Sequence, residues 1–298
     1  MLRVYSTAFE YTITGDTDYM SKGTLIALGG GYDDDLIKLI RSEICPINSS
    51  IEIIATAATE PEESGMAYKN AFEELGCGKV QFMLIDEEHE ADKPEYLERM
   101  RQADVIFFTG GDQVRLTEFL SGTQLLDIMS KRYHEEPLII AGTSAGAAVM
   151  SDRMIYDGYG HYSLIKGEMK TTQGFGLIQG VYLDTHFVER GRFGRLAHAV
   201  AHDPHYVGIG LSEETGIIIK EGNKVEVFGT GVVTIIDASK IRFSNTRQVS
   251  ENEPIAVENL IMHMLVEGYR YCLKEHLFQP VEHVPRQQAE TSNTAPAT

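Results

Sequence analysis

Apolar positions along this chain fall in short unbroken runs separated by stretches with helical spacing. The runs TLIALGGG, IEIIATAAT, VQFMLI, DVIFFTGGDQ and PLIIAGTS are rich in β-branched and aromatic residues. Between them lie DDDLIKLIRSEI, ESGMAYKNAFEELG, PEYLERMRQA and VRLTEFLSGTQLLDIMSKRYHEE. Strand followed by helix at this rhythm builds βαβ units around a parallel sheet. The runs hardly alternate, as expected of strands covered on both faces. The pattern predicts an α/β chain with a doubly wound, mostly parallel sheet, in which Ser144 ends the fifth strand. Further on, GIGLSEETGIIIKEGNKVEVFGTGVVTIID reads as antiparallel strands, with Glu221-Gly222-Asn223-Lys224 as a hairpin turn. LIMHMLV and YRYCLKEHLF read as a further strand pair or as one helix around Gly268, and the period does not decide. No repeat and no linker interrupts the chain, so a single domain is expected over residues 1–285. The polar, small-residue stretch 286–298 is expected to be a disordered tail.

Composition narrows the partners. Hydrophobic residues make up 43% of 298, enough for one sizeable core. Lys and Arg number 26 against 44 Asp and Glu, and a net charge of −18 lacks the basic field that nucleic acid or an anionic membrane surface requires. The acidic clusters Glu60–Glu63 and Asp86–Asp92 read as solvated loops and helix starts. No apolar run reaches the ~18 positions of a membrane span. The first twenty residues lack the apolar core of a signal peptide, which makes a cytoplasmic protein the expectation. Cys45, Cys77 and Cys272 are neither paired by spacing nor joined to a zinc-like histidine pattern, so they read as reduced thiols.

The stretch LIIAGTSAGAAVMS carries the chemistry. A strand that stops at Gly-X-Ser-X-Gly and continues as a helix must turn tightly around its middle residue, and glycines leave the room to do so. Ser144 would stand exposed at that turn, with the N–H of Ala145 and the helix dipole facing the space above the hydroxyl. A close-packed turn or a glycine-rich anion site is the bland alternative. A serine nucleophile needs a base and an acid that orients it. His186 is the first candidate base, because in VYLDTHFVERGRFGRL it lies where strand residues give way to a charged loop. His198, His202 and His205 fall in or after a helix, and His134 and His161 have polar neighbours, so surface or capping roles suit them better. For the acid, Glu213 in GIGLSEET is preferred to Glu214, which should point the other way. Asp184 is the rival, close to His186 in sequence but badly placed to reach around its ring. Ala145 and the glycine pair Gly110-Gly111 are the candidate oxyanion donors. These loops, with Gly29–Asp35, share the carboxyl edge of the sheet, where ligands bind in such folds.

Taken together and in order, ALGGG, FFTGGDQ, GTSAGAAVMS, LDTHFVERGRFGRL and GIGLSEETG resemble the S51 serine peptidases over most of the chain. The resemblance implies a flavodoxin-like sheet, similar to that of class I glutamine amidotransferases, with added C-terminal antiparallel strands. It implies Ser144 as nucleophile, His186 as base and Glu213 as orienting acid, and Gly111 and Ala145 are the oxyanion hole expected beside them. It also implies a peptide substrate: cyanophycin, a poly-aspartate bearing arginine on each β-carboxylate, cleaved to β-aspartyl-arginine dipeptides, or a related β-aspartyl peptide. Gln113, Asp184, Thr185, Arg190, Arg192 and Arg195 match substrate-binding positions, with the arginines facing substrate carboxylates and Asp184 a guanidinium. No cofactor or metal is implied, and a homodimer is. Two departures stand out: Thr185 replaces a glutamine, and GGGYDDD differs from the family's Gly-Gly-Ala-Glu-Asp loop. The alternatives are an aspartyl dipeptidase and a non-catalytic, flavodoxin-like anion-binding module.

Overall fold

A computed structural model describes residues 20–32, 37–38, 40–41 and 49–280. The five apolar runs form strands β1 (Thr24–Leu28), β2 (Ser50–Ile54), β3 (Lys79–Met83), β4 (Val105–Phe108) and β5 (Ile139–Thr143), all mutually parallel in the order β1-β5-β4-β2-β3. Helices α1 (Pro61–Glu74), α2 (Pro94–Gln102), α3 (Gln113–Leu120) and α4 (Gln124–Glu135) follow β2, β3 and β4. Their starts are encoded locally. Proline opens α1 and α2, while Asp112 and Thr123 cap α3 and α4 by accepting the Val114 and Leu126 N–H groups. After β5 come the one-turn helix α5 (Ala145–Ala148) and the hairpin β6 (Arg153–Asp157) with β7 (Lys170–Gln173).

The C-terminal strands divide between two large sheets and one separate two-stranded sheet. In chain order they are β8 (Val181–Asp184), β9 (Val207–Leu211), β10 (Thr215–Lys220), β11 (Lys224–Gly229), β12 (Val233–Asp237), β13 (Phe243–Ser244), β14 (Val257–Glu258), β15 (Ile261–Leu265), β16 (Arg270–Cys272) and β17 (Leu277–Gln279), with α6 (Phe193–His202) between β8 and β9. Antiparallel β10, β11, β16 and β17 extend the parallel block from β1 to a nine-stranded sheet. A second sheet runs β15-β12-β9-β8. The fold is the expected flavodoxin-like one with antiparallel additions.

Two details depart from the sequence reading. Strand β9 pairs antiparallel with β12 but parallel with β8, because α6 carries the chain back across the sheet as a βαβ crossover. LIMHMLV and YRYCLKEHLF do form strands, yet these do not pair with each other: β15 joins β12, and β16 joins β11. The hairpin turn is as expected, with Glu221 and Gly222 at φ 57° and 62°. Of the expected helix after β1, residues 37–38 and 40–41 are described and are helical, whereas Asp33–Asp35, Cys45 and the 286–298 tail lie outside the described residues.

Alternate residues of β1 show why the runs lack alternation: Ile26 and Leu28 pack with Tyr68, Phe72 and Phe107 under α1. Leu25 and Ala27 pack instead with Ile209, Leu211, Val233 and Ile235 of the second sheet. Both faces of the large sheet are therefore covered. The outer face of the second sheet is closed by α6 through Leu196, Ala199 and Val200 against Tyr182 and Ile236.

Candidate active site

Strands β1, β5 and β4 are neighbours, so the loops after them meet at one edge. Ser144 follows β5 directly, at φ 52° and ψ −111°, and its N–H donates to Leu28 O at 3.0 Å. Left-handed backbone is costly for serine, and packing enforces it. A Cβ on Gly142 would lie 2.4 Å from Gly146 O, and one on Gly146 would lie 2.4 Å from Phe108 O. Both glycines are thus required by close approach. Helix α5 is only one turn, so it supplies less dipole than its sequence suggests. The N–H of Ala145 is nevertheless a first-turn group with no acceptor inside its own helix. Gly110 lies beside Ser144, with an added Cβ 3.5 Å from the serine Cβ. Gly111, at φ 138°, runs so close to Ala57 that a Cβ would sit 2.0 Å from its carbonyl oxygen.

The second sheet brings the other two groups. Strands β8 and β9 run parallel in a register that sets Asp184 against Gly210, so the residues just past both carboxyl ends emerge together. Ser144 Oγ is 2.9 Å from His186 Nε2, and His186 Nδ1 is 2.6 Å from Glu213 Oε1. A carboxylate only accepts, so Nδ1 carries the proton and Nε2 is left to accept from the serine hydroxyl. Burial holds the imidazole below its ordinary value, the nearby Arg190 and Arg192 charges push the same way, and the Glu213 hydrogen bond opposes them. The ring is therefore neutral at pH 7. Glu214 points elsewhere, as expected, and Asp184 does not approach the ring's Nδ1 side.

Ser144 lies between two clefts. One, of about 330 Å³, is lined by Gly30, Gly31, Ser64, Tyr68, Gly110 and Arg190. The other, of about 250 Å³, is bounded by Gln113, Tyr156, Tyr159, Asp184, Thr185 and the three arginines.

The sequence model for peptidase family S51 matches residues 25–227, which include every group named above. The chain belongs to peptidase family S51. It is accordingly a serine-type peptidase. A cyanophycinase from Trichormus variabilis is 34% identical over 271 residues, covering 90% of this chain and 91% of its own. One from Synechococcus elongatus is 32% identical over 262 residues, covering 87% and 81%. Among solved structures, a peptidase from an acI-B1 Actinobacterium superposes with a TM-score of 0.59 at 21% identity, over 85% of this chain and 98% of that one, and has the same fold.

In this S51 peptidase the substrate-binding positions expected from sequence do meet at the second cleft, but their bonding differs from expectation. Asp184 is buried, and both its oxygens are taken by the Arg195 guanidinium, with Arg192 Nη1 3.5 Å away. It is therefore committed to internal arginines and does not stand ready for a substrate guanidinium. Arg192 also donates to Thr185 O at 2.6 Å, which ties Thr185 into the same cluster. Gln113 Nε2 donates to Ile155 O at 3.1 Å. Burial pushes the Arg192 guanidinium down to about 10, Arg195 and Arg190 add to this, and Asp184 opposes it. Arg190 is exposed and borders both clefts. Sequence reasoning missed Tyr156 and Tyr159 on one cleft and Ser64 and Tyr68 on the other. Only the i,i+4 spacing of Ser64 and Tyr68 on one helix face could have marked the second pair.

Proposed function

We propose that the chain hydrolyses cyanophycin or a closely related β-aspartyl peptide through an acyl-enzyme on Ser144. The carrying observation is the unbroken Ser144–His186–Glu213 hydrogen-bond chain opening between two clefts. His186 Nε2 takes the hydroxyl proton as Oγ attacks the aspartyl carbonyl, and Glu213 steadies the imidazolium that forms. The N–H groups of Ala145 and Gly111 face the developing oxyanion. His186 then gives its proton to the leaving amine as the C–N bond breaks. A water molecule, deprotonated by His186, attacks the ester, releasing the carboxylate product and restoring the serine.

The second cleft supports an anionic substrate group. Three arginines and two aspartates line it, and both aspartates are engaged, Asp112 capping α3 and Asp184 bound by Arg195. Arg192 Nε and Arg195 Nη1 are buried with no hydrogen-bond partner among the described residues. Buried guanidinium donors of this kind call for an acceptor, and a substrate carboxylate supplies one. In cyanophycin each arginine carries a free carboxylate that meets this need. The names of the relatives point the same way.

Incubating purified protein with cyanophycin, and separately with Asp-X dipeptides, and identifying products by mass tests the reading. Release of β-aspartyl-arginine by wild type but not by Ser144→Ala supports it. Turnover of the dipeptides alone would assign the chain to an aspartyl dipeptidase, and turnover of neither would overturn the substrate reading.

A further inference from the structure

The two adjacent glutamates after β9 diverge. Glu213 reaches the His186 ring, whereas Glu214 turns toward the loop after β1. Glu214 has φ 52°, a left-handed conformation that glutamate avoids unless its surroundings demand it. The demand is visible on three sides. Its N–H donates to Gly30 O at 2.9 Å, its carbonyl accepts the Thr230 N–H at 3.0 Å, and its Oε1 accepts the Tyr32 N–H at 2.5 Å.

The loop held in this way is the floor of the histidine. A Cβ on Gly30 would lie 2.3 Å from the His186 Cε1, and one on Gly31 would lie 2.0 Å from Glu214 Oε1. The ring and the carboxylate therefore occupy the space that side chains at these two glycines would fill. The His186 N–H donates to Gly29 O at 2.7 Å, so backbone and ring rest on the adjacent residues Gly29 and Gly30. His186 is itself left-handed, at φ 45°, and relies on these contacts. Two carboxylates thus fix one imidazole: Glu213 sets its rotation through Nδ1, and Glu214 sets its height through the glycine loop.

We propose that Glu214 is a positioning residue, clamping the Gly29–Tyr32 loop against His186 so that Nε2 stays within reach of Ser144. The inference rests on Ser144 and His186 being the reacting pair. Misplacement of a reacting group by about 1 Å costs on the order of 100-fold in rate. Loss of the clamp acts on the chemical step and leaves the arginine-lined second cleft, to which the loop contributes no residue, in place.

The test is phosphonylation of Ser144 by a fluorophosphonate, which needs no knowledge of the substrate, read as maximal rate and half-saturating concentration across pH. For Glu214→Ala we expect a maximal rate about 10–100-fold lower, with half-saturation within about twofold. The acid limb should rise toward 6.5, the ordinary imidazole value, as the ring becomes wetter while Glu213, Arg190 and Arg192 still face it. Glu214→Gln keeps an acceptor oxygen and should restore the rate to within about threefold of wild type, since the bond matters more than the charge. Tyr32→Pro removes the donated N–H and leaves Glu214 intact, so it should reproduce the loss even if Glu214→Ala fails to fold. Wild-type rate and acid limb in both Glu214→Ala and Tyr32→Pro would overturn the clamp, as would a loss in Glu214→Gln equal to that in Glu214→Ala. Undiminished labelling in His186→Ala would instead remove the reacting pair on which the clamp depends.

Discussion

The proposed nucleophile and its proposed base hang from different sheets, held by different physics. Ser144 ends β5 of the nine-stranded sheet, and its unusual backbone is enforced sterically by Gly142 and Gly146, whose missing side chains let the elbow close. His186 and Glu213 leave β8 and β9 of the four-stranded sheet, where parallel register, hydrogen bonds and neighbouring charge hold them. Damage on the first side should be abrupt and steric, whereas damage on the second should be graded and electrostatic.

The largest expected effect joins the two sides. Ser144→Ala or His186→Ala should lower kcat/KM by about 10⁴-fold or more, roughly 5 kcal/mol, with Tm nearly unchanged in steady-state and thermal assays. Asp184→Asn comes next and acts on the second sheet alone. It leaves Arg195 and Arg192 buried without their carboxylate, and urea unfolding should show a loss of about 3–5 kcal/mol. Gly146→Ala is its counterpart on the first sheet, pressing a methyl onto Phe108 O; we expect about 1–3 kcal/mol of destabilisation by the same method and loss of Ser144 labelling. Arg190→Gln is the mildest. Arg190 lowers the His186 pKa, and only neutral imidazole accepts the serine proton. Removing this charge must raise the pKa, so the acid limb of kcat/KM should shift upward by a fraction of a pH unit; a downward shift would contradict the assignment.

This contrast also explains what could be read in the sequence. The Ser144 elbow is a local device of five residues, with glycines whose purpose is steric, and so it is visible as a string. The five parallel strands were equally legible because burial on both faces removes alternation from each run. His186 and Glu213 were legible only as residues at strand ends, since their meeting depends on β8 and β9 pairing across 27 residues of chain. The state of Asp184 was not legible. Nothing local distinguishes a carboxylate awaiting a substrate guanidinium from one already bound by an arginine 11 residues away. The parting of β15 and β16 was hidden for a related reason, since short strands carry no signal for which sheet edge will receive them.

In the proposed mechanism an imidazole from one sheet activates a hydroxyl from the other. Its most direct measurement is peptide mapping of the residue modified by a fluorophosphonate, with the modification rate compared between wild type and His186→Ala. One adduct is expected, on Ser144, formed at least about 10³-fold more slowly without the histidine. An adduct on another residue, or an equal rate in the two proteins, would contradict it.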